Sequence, residues 1–480
     1  MNNSKLVNVL RTFSKNEMKE FEKLAASPYF NGGRNYLPFL KELKKYYPEF
    51  DKEKMTDEHI FSKIYPHKKF NKQIIWNMSS NVLNMAEQFL LLTSLKKNKF
   101  IKIHQIAGEL KIRKLPKHFQ KKIDEMEREL ISTKINRNYF LFRKQLELDR
   151  KEYFFLEEKQ RQIPAISVKQ GEYAILFFLW NIVEVVNDLN VYSYMFNAAF
   201  EMNIIHEFIN NLQLKNIIHY CRLKKFSYTW LIEMYYNQIM MTIESEKTEY
   251  FFNLKKLFEQ NYEKFTDEEK FNWVTCLINY CGYKNDNHFR NILFEIHKFE
   301  LKEGIAFTGK YLSKSHYLQI LKNALAIDQT EWIKNFIEEY SVKLKPSYQK
   351  SMRALSFAYY YLKVKNYEKV LEYLSRDKFA DPKDKFAVKL VYIKTYYDLN
   401  ETETLFYHID STLRFISNNQ KLIRIDIAAN YNKCLKLLKK LVAAKENNDH
   451  IKIDEIRVSI DKDKSLILGD WLMEKAKELE

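Results

Sequence analysis

The scarcity of turn-forming residues is the feature that most constrains how this chain can fold. Eight glycines and eight prolines in 480 residues are well below the usual share. A β-sheet protein needs a turn about every 8–12 residues, and such turns draw heavily on glycine and proline. Leu, Lys, Glu and Ile are abundant instead, and an apolar fraction of 46% is enough for a packed core. The sequence therefore predicts an all-α protein.

Residues 351–382 indicate how the helices are paired. The segment is predicted to form two short amphipathic helices joined by a tight turn at Lys365-Asn366, with Pro382 marking the stop. Apolar residues at spacings of three and four form one stripe on each helix: Leu355, Ala358, Tyr361 and Leu362, then Val370, Leu371 and Leu374. The two stripes can pack on each other, and the apolar surface that remains needs stacked neighbours.

This segment resembles a tetratricopeptide repeat. The residues that carry the resemblance are Ala354, Phe357, Ala358, Tyr361, Val370, Leu374 and Pro382. The first aromatic residue of the repeat is missing, and Val370 stands where a small residue is usual. A second unit follows about one period later, with matching residues at Ile393, Tyr396, Leu405 and Ile409. The resemblance implies a superhelix, or α-solenoid, of stacked antiparallel helical pairs, which is tetratricopeptide-like in its carboxyl-terminal part.

The resemblance also implies a binding face. In tetratricopeptide repeats the first helix of each pair lines a concave groove. Carried over to the two matching units, that face would present Tyr359 and Lys363, then Lys394 and Tyr397. Lysine beside tyrosine suits an extended peptide that carries acidic or aromatic side chains. The alternative is that these four residues only fill the core or the surface.

The amino-terminal part is similar to an uncharacterised family of long all-helical bacterial proteins. The similarity rests on residues 13–17 (FSKNE), Phe21, residues 27–31 (SPYFN) and residues 47–50 (YPEF), and residues 396–399 (YYDL) fit the family too. It implies a helical fold over most of the chain. It supplies no catalytic residue and no ligand.

Composition divides the chain into four predicted regions. These are a basic amino-terminal helical region (1–162), aromatic-rich middle helical repeats (163–345), tetratricopeptide-like pairs (346–450) and carboxyl-terminal capping helices (451–480). The first boundary lies in Gln162–Gly171, because this segment contains Pro164 and coincides with a change from basic to slightly acidic sequence.

Local signals mark several helices. Ser14 with Glu17, and Thr266 with Glu269, have the spacing of capping boxes, and Thr56 is a predicted cap. One apolar stripe among mixed charges predicts a helix with a narrow packing face at Ile123, Met126, Leu130 and Ile135. Aromatic doublets at 177–178, 235–236 and 251–252 point to adjacent helix faces, so both rings are expected to be buried between neighbours on two sides.

A basic segment raises a second class of function. Residues 111–122 (KIRKLPKHFQKK) contain six basic residues and no acid: Lys111, Arg113, Lys114, Lys117, Lys121 and Lys122. With Phe119 among them, they could form a phosphate-binding patch with one stacking ring, and the net charge of +17 fits that alternative. The simpler interpretation is a solvated connection around Pro116, neutralised locally by the acids between Asp124 and Glu129.

The motifs of catalysis are incomplete. Residues 304–311 (GIAFTGKY) match a phosphate-binding loop as far as Lys310, but Tyr311 replaces the Ser or Thr that would hold magnesium. The preceding residues are charged instead of forming an apolar strand, so a turn between helices is the better interpretation. His206-Glu207 begins like a zinc-protease signature, yet Asn210 stands where the second histidine would be.

No other pattern suggests a cofactor or a membrane. Four cysteines lack both metal-ligand and disulfide spacing: Cys221, Cys276, Cys281 and Cys434. The uncharged run Tyr173–Val183 is too short to span a bilayer, and the start shows no secretory signal. The sequence therefore predicts a cytoplasmic, non-enzymatic scaffold, with no cofactor, metal or membrane span, that binds a protein or peptide partner. Helical-repeat binding of nucleic acid is the alternative.

Overall fold

The computed structural model describes residues 4–50, 55–196, 204–284, 286–419, 425–463 and 465–479. Within these residues the chain forms 25 α-helices and one hairpin of two-residue strands, so the all-α prediction is confirmed. The superhelical arrangement stays a prediction. The chain divides into two compact units, one of residues 1–186 with 203–209, the other of residues 187–202 with 210–480.

The first unit contains nine helices among its described residues. They are α1 (Lys5–Leu10), α2 (Lys15–Ala26), α3 (Pro28–Asn31), α4 (Leu37–Lys44), α5 (Asp57–Ile64), α6 (Lys72–Lys97), α7 (Lys99–Ile112), α8 (Pro116–Ile131) and α9 (Tyr139–Leu156). A 3₁₀ turn at Gln160–Gln162 leads into α10 (Ile163–Phe196), which crosses the division between the units, as does α11 (Ile204–Asn211).

Two apolar cores stabilise this unit. Long helix α6 packs against α1, α2, α3 and α5, and the rings of Phe13, Phe21 and Phe89 meet at centroid distances of 5.3–5.7 Å. Helices α7, α8 and α9 enclose a second core around Phe119, which is fully buried. The basic segment therefore lies directly over a packed core.

The second unit continues with helices in sequential pairs. Its elements are α12 (Leu214–Leu223), α13 (Thr229–Ile243), α14 (Glu249–Asn261), α15 (Asp267–Lys284), α16 (Asn287–Lys302), β1 (Phe307–Thr308), β2 (Tyr311–Leu312), α17 (Lys314–Ala326), α18 (Thr330–Tyr340), α19 (Pro346–Lys363), α20 (Tyr367–Ser375), α21 (Pro382–Asp398), α22 (Thr402–Asn418), α23 (Ile425–Glu446), α24 (His450–Lys462) and α25 (Gly469–Lys477), with 3₁₀ turns at Tyr262–Lys264 and Ser341–Lys343.

The pairs predicted from residues 351–382 and from the following repeat are present. Helix α19 packs on α20, and α21 packs on α22. The stripe residues Leu355, Ala358, Val370 and Leu374 are buried in one core. Pro382 has a different role from the predicted stop, because α20 already ends at Ser375 and Pro382 opens α21. Proline suits that first helical position because it has no amide hydrogen to leave unpaired.

One turn geometry joins the helices of seven pairs in the described residues. In each turn a single residue other than glycine has a left-handed backbone (φ 51–60°): Lys114, Glu158, Lys225, Asp328, Lys365, Asn400 and Asn448. The next residue donates its amide hydrogen to the carbonyl five positions back, as Asn366 does to Tyr361 at 2.9 Å and Glu401 to Tyr396 at 3.1 Å. These are the bonds of a Schellman cap. The chain thus turns repeatedly with very little glycine.

The local start signals are confirmed in two of three cases. The Ser14 amide donates to the Glu17 carboxylate at 2.8 Å, and the Ser14 hydroxyl accepts from the Glu17 amide at 3.2 Å, which completes the capping box. Thr56 caps α5 by accepting from the His59 amide at 3.1 Å. The third is wrong, because the Thr266 hydroxyl is buried without a hydrogen-bond partner among the described residues.

Three packing expectations need correction. Helix α8 ends at Ile131, so Ile135 is buried from the following loop instead of continuing the stripe on the helix. Pro164 does not interrupt the helix, since it lies in the first turn of α10, where proline is tolerated. Two of the three aromatic doublets are not buried on both sides, because Phe178 and Phe252 are each about two-fifths exposed.

Candidate functional site

Three first helices of successive pairs lie side by side in the second unit. Helix α19 packs against both α17 and α21. One residue from each of these helices has the burial and the electrostatics expected of a binding surface: Lys322 on α17, Tyr359 on α19 and Lys394 on α21. We call these three residues the first-helix face.

The central member of this face is a half-buried tyrosine. Burial raises the pKa of Tyr359 to about 12, and the nearby Tyr431 and Asp384 add to the shift. Tyr431 lies on α23, and Asp384 lies on α21, the helix that also carries Lys394. The pKa of Tyr359 therefore depends in part on the helix that carries Lys394. A tyrosine in such a position offers an apolar ring and a hydroxyl that can still donate a hydrogen bond.

Both lysines of the face are cations without a counter-ion. Burial lowers the pKa of Lys322, although its side chain remains open to water. Burial also lowers the pKa of Lys394, against the opposing influence of Glu474 and Asp398, and the Lys322 ammonium contributes in the same direction. Neither lysine forms an ion pair in the part of the chain that the structure describes.

The other two predicted groove residues, Tyr397 and Lys363, each contact other side chains of the second unit. Tyr397 is buried, with its ring edge-on to Trp471 at 5.5 Å and the Lys445 ammonium 5.4 Å over its ring. The Lys394 ammonium lies 5.2 Å over the ring of Trp471, so Trp471 contacts both Tyr397 and Lys394. Lys363 lies at the exposed end of α19, where it pairs with Asp328 at 2.5 Å.

The sequence did not indicate that Lys322 belongs to the first-helix face or that Trp471 lies beside it. Lys322 lies on α17, a helix that does not match the repeat pattern, and Trp471 lies on α25, in the predicted capping region. Both become part of the surface through packing of segments far apart in the chain.

The six residues of the basic segment divide into two groups. Three pair with carboxylates: Lys111 with Glu152 at 2.6 Å, Lys122 with Glu125 at 2.8 Å, and Arg113 with Glu109. The other three, Lys114, Lys117 and Lys121, are exposed and form no ion pair in the described residues. Phe119 is fully buried, so it cannot stack on a base. Half of the predicted patch is therefore neutralised by the protein itself.

A buried carboxyl group lies behind the basic segment. Asp149 on α9 is almost fully buried, and burial together with the neighbouring Glu152 raises its pKa to about 7. Its Oδ2 atom is 3.5 Å from Nε2 of His104, whose own pKa is lowered by burial. With a pKa of about 7, this carboxyl group changes charge near neutral pH.

The loop that resembles a phosphate-binding motif is a β-hairpin. Strands β1 and β2 pair Phe307 with Leu312 and Thr308 with Tyr311, around Gly309, which has φ of 66°. No helix follows Lys310 directly, so backbone amides are not arranged around a phosphate as that motif requires. The predicted turn between helices is correct in place, and its form is a hairpin between α16 and α17.

One group of side chains could hold a metal ion. His297, Glu300 and His316 bring their ligand atoms within 4.8 Å of one another. His206 of the zinc-protease-like sequence lies on α11, and its side chain is outside the described part of the structure. The four cysteines are buried, and burial raises the pKa of the Cys276 and Cys281 thiols to about 12, which disfavours the thiolate that metals bind.

Three comparisons with known proteins found no match for this chain. No protein-family model matches the chain, and neither a curated protein nor a solved structure matches it. In the described residues, no helix has both the length and the apolar character needed to cross a bilayer.

Proposed function

We propose that the second unit is a non-enzymatic, tetratricopeptide-like scaffold that binds a protein partner through the first-helix face. The observation that carries this proposal is that Lys322 and Lys394 form no ion pair in the described residues, while burial lowers the pKa of both. Partial burial of a cation without a paired carboxylate is unfavourable. A carboxylate of a bound ligand would stabilise each ammonium group by a charge-assisted hydrogen bond.

The surroundings of the two lysines indicate the form of the partner. Tyr359 and the ring of Trp471 provide apolar and hydrogen-bonding surface beside the charges. The three residues of the face come from three successive first helices, which suits an extended segment over a compact one. We therefore propose a peptide segment that carries Asp or Glu together with aromatic residues, bound in the cytoplasm.

A matched pair of labelled peptides tests the proposal. One peptide alternates Glu with Tyr, and the other replaces each Glu by Gln at the same length. We expect the full chain to bind the Glu peptide at least about tenfold more tightly, since hydrogen bonds to charged groups contribute about 1.5–3 kcal/mol. The double variant Lys322→Gln/Lys394→Gln should abolish that preference.

The control for this experiment changes the same charge elsewhere. Lys117→Gln/Lys121→Gln removes two exposed lysines of the basic segment and should leave the preference for the Glu peptide intact. Equal loss in both double variants would indicate attraction by net charge alone and would overturn the proposal.

The basic segment supports a second candidate function. Lys114, Lys117 and Lys121 are exposed without ion pairs in the described residues, so binding of nucleic acid phosphates through them is the alternative. A salt titration against mixed DNA and RNA tests it. Affinity that falls steeply with salt and is lost in Lys117→Gln/Lys121→Gln supports this alternative, and no binding at low salt removes it.

A further inference from the structure

The hairpin between α16 and α17 brings two histidines and a glutamate together. His297 and Glu300 are three positions apart on α16, which places them on one side of that helix. The hairpin returns the chain so that the first turn of α17 faces them with His316. The Ser313 hydroxyl caps this turn by accepting from the His316 amide at 3.2 Å, which holds His316 in position.

One carboxylate oxygen is shared between the two rings. Oε1 of Glu300 lies 2.6 Å from Nδ1 of His297 and 2.7 Å from Nε2 of His316. The ring centroids are 5.6 Å apart with planes 73° from parallel. Two imidazoles that converge on one carboxylate from different helices form a donor set of two nitrogens and one oxygen.

This cluster is buried more deeply than ordinary ion pairs. His297 and Glu300 are both 0% exposed, and the His316 side chain is 14% exposed. Nε2 of His297 and Oε2 of Glu300 have no hydrogen-bond partner in the described residues. A buried polar atom without a partner is unfavourable by about 1–3 kcal/mol. Oε2 belongs to the carboxylate on which the two rings converge and can bind the same ion, whereas Nε2 of His297 points away from Nδ1 and needs a separate partner such as water.

We propose that His297, Glu300 and His316 bind a divalent transition-metal ion of the zinc type. Imidazole nitrogens with one carboxylate oxygen are a common zinc donor set, and three protein ligands leave the fourth tetrahedral position for water. Ligand atoms around such an ion lie about 3.3 Å apart, given metal–ligand distances of about 2.0–2.1 Å. Each of the two nitrogens therefore needs to move about 0.6–0.7 Å farther from the Glu300 oxygen than in the hydrogen-bonded arrangement.

The consequence for the fold is a link between two helical pairs. Helix α16 pairs with α15 and α17 pairs with α18, so an ion held by both α16 and α17 fixes one pair against the next. His316 is the least buried of the three ligands and gives the ion a route from solvent. This site is separate from the first-helix face, and its failure leaves the proposed peptide binding untouched.

Titration of the full chain, stripped with a chelator, with Zn²⁺ alone tests the proposal. We expect one ion per chain by calorimetry, and a rise of the melting temperature by about 3 °C when zinc exceeds its dissociation constant about 100-fold. Co²⁺ added in place of zinc should give the intense visible absorption of a tetrahedral site. A chain that binds no zinc above the level of the His316→Ala variant would overturn the proposal.

Two variants locate the ion. Glu300→Gln keeps the shape of the side chain and removes its charge, and His316→Ala removes the most exposed ligand, so both are expected to fold. Each should weaken zinc binding by at least about 100-fold and remove the Co²⁺ absorption. The matched control is His288→Ala, because His288 is an exposed histidine of the same helix α16. Wild-type affinity in His316→Ala, or loss in His288→Ala, would overturn the assignment.

Discussion

The lysines of the basic segment and those of the first-helix face differ in what surrounds them. In the basic segment, Lys111 and Lys122 are paired with carboxylates, and the remaining lysines are fully hydrated. On the first-helix face, burial lowers the pKa of both Lys322 and Lys394, and neither forms an ion pair in the described residues. For this reason we propose the first-helix face, and not the segment with the largest local excess of positive charge, as the site that binds an acidic partner.

The largest expected effect comes from removing the core beneath each lysine group. Leu355→Ala empties a fully buried position of α19 and should lower the free energy of unfolding by about 2–5 kcal/mol. Phe119→Ala, beneath the basic segment, should lower it by about 3–5 kcal/mol. Denaturant unfolding followed by circular dichroism measures both.

The comparison predicts opposite consequences of these two changes for binding. Leu355→Ala should also weaken the Glu–Tyr peptide, whereas Phe119→Ala should not. If Phe119→Ala weakened the peptide as much as Leu355→Ala, the distinction between the two lysine groups would fail.

The next effect concerns pH and the carboxyl behind the basic segment. The pKa of Asp149 is raised from 3.8 to about 7 in the folded chain. Below about pH 4 the carboxyl is protonated in both states, and between about pH 4 and 7 it is protonated in the folded state only. The free energy of unfolding should therefore fall as the pH rises through this window and stay constant above it.

Asp149→Asn tests this dependence. It should raise the free energy of unfolding at pH 8 by about 2–4 kcal/mol and remove that part of the slope. His104, Glu152, Lys111 and Gln145 face this carboxyl, so the variant is compared with wild type at every pH to cancel their own titration. An unchanged slope would show that Asp149 is ionised at neutral pH.

A smaller effect distinguishes the two lysine groups by the sign of the change in the free energy of unfolding. Lys394→Met replaces a desolvated ammonium over Trp471 by an uncharged chain of similar shape, and should raise the free energy of unfolding by about 1 kcal/mol while it weakens the acidic peptide. Lys111→Met breaks the pair with Glu152 and should lower the free energy of unfolding by up to about 1 kcal/mol. The same sign in both variants would contradict the difference we describe.

The smallest effect should be equal in the two regions. Lys365 and Lys114 both have a left-handed backbone, with φ of 57° and 55°. Glycine adopts that conformation without strain, so Lys365→Gly and Lys114→Gly should each raise the free energy of unfolding by about 0.5 kcal/mol. Chemical denaturation of both variants measures the gain, and a loss in either would mean that its lysine side chain stabilises the turn by packing.

Features that depend on neighbouring residues were open to prediction from the sequence. The capping box of Ser14 and Glu17 and the turn at Lys365-Asn366 are correct because each is closed by atoms a few positions apart. The exposure of Phe178 and Phe252 was not predictable in the same way, because it depends on whether a second helix reaches that side.

The candidate sites show the same limit. The resemblance to a tetratricopeptide repeat implied that Tyr359 and Lys394 lie on first helices, but the positions of Lys322 and Trp471 near Lys394 result from contacts between segments far apart in the chain. Likewise, the sequence spacing relates His297 to Glu300 on one helix, but nothing local indicates that a hairpin brings His316 to them. Both candidate sites, the first-helix face and the cluster of His297, Glu300 and His316, are therefore formed by contacts between different helices.

The recurring Schellman cap has a consequence for protein engineering. Because lysine, glutamate, aspartate and asparagine all occupy its left-handed position, the joint between paired helices places little demand on residue type. A hairpin cut at two such joints is thus a cassette whose ends already match, and it could be duplicated or transplanted with its exposed side chains redesigned. Length and ligand preference of an array built in this way could then be varied independently of each other.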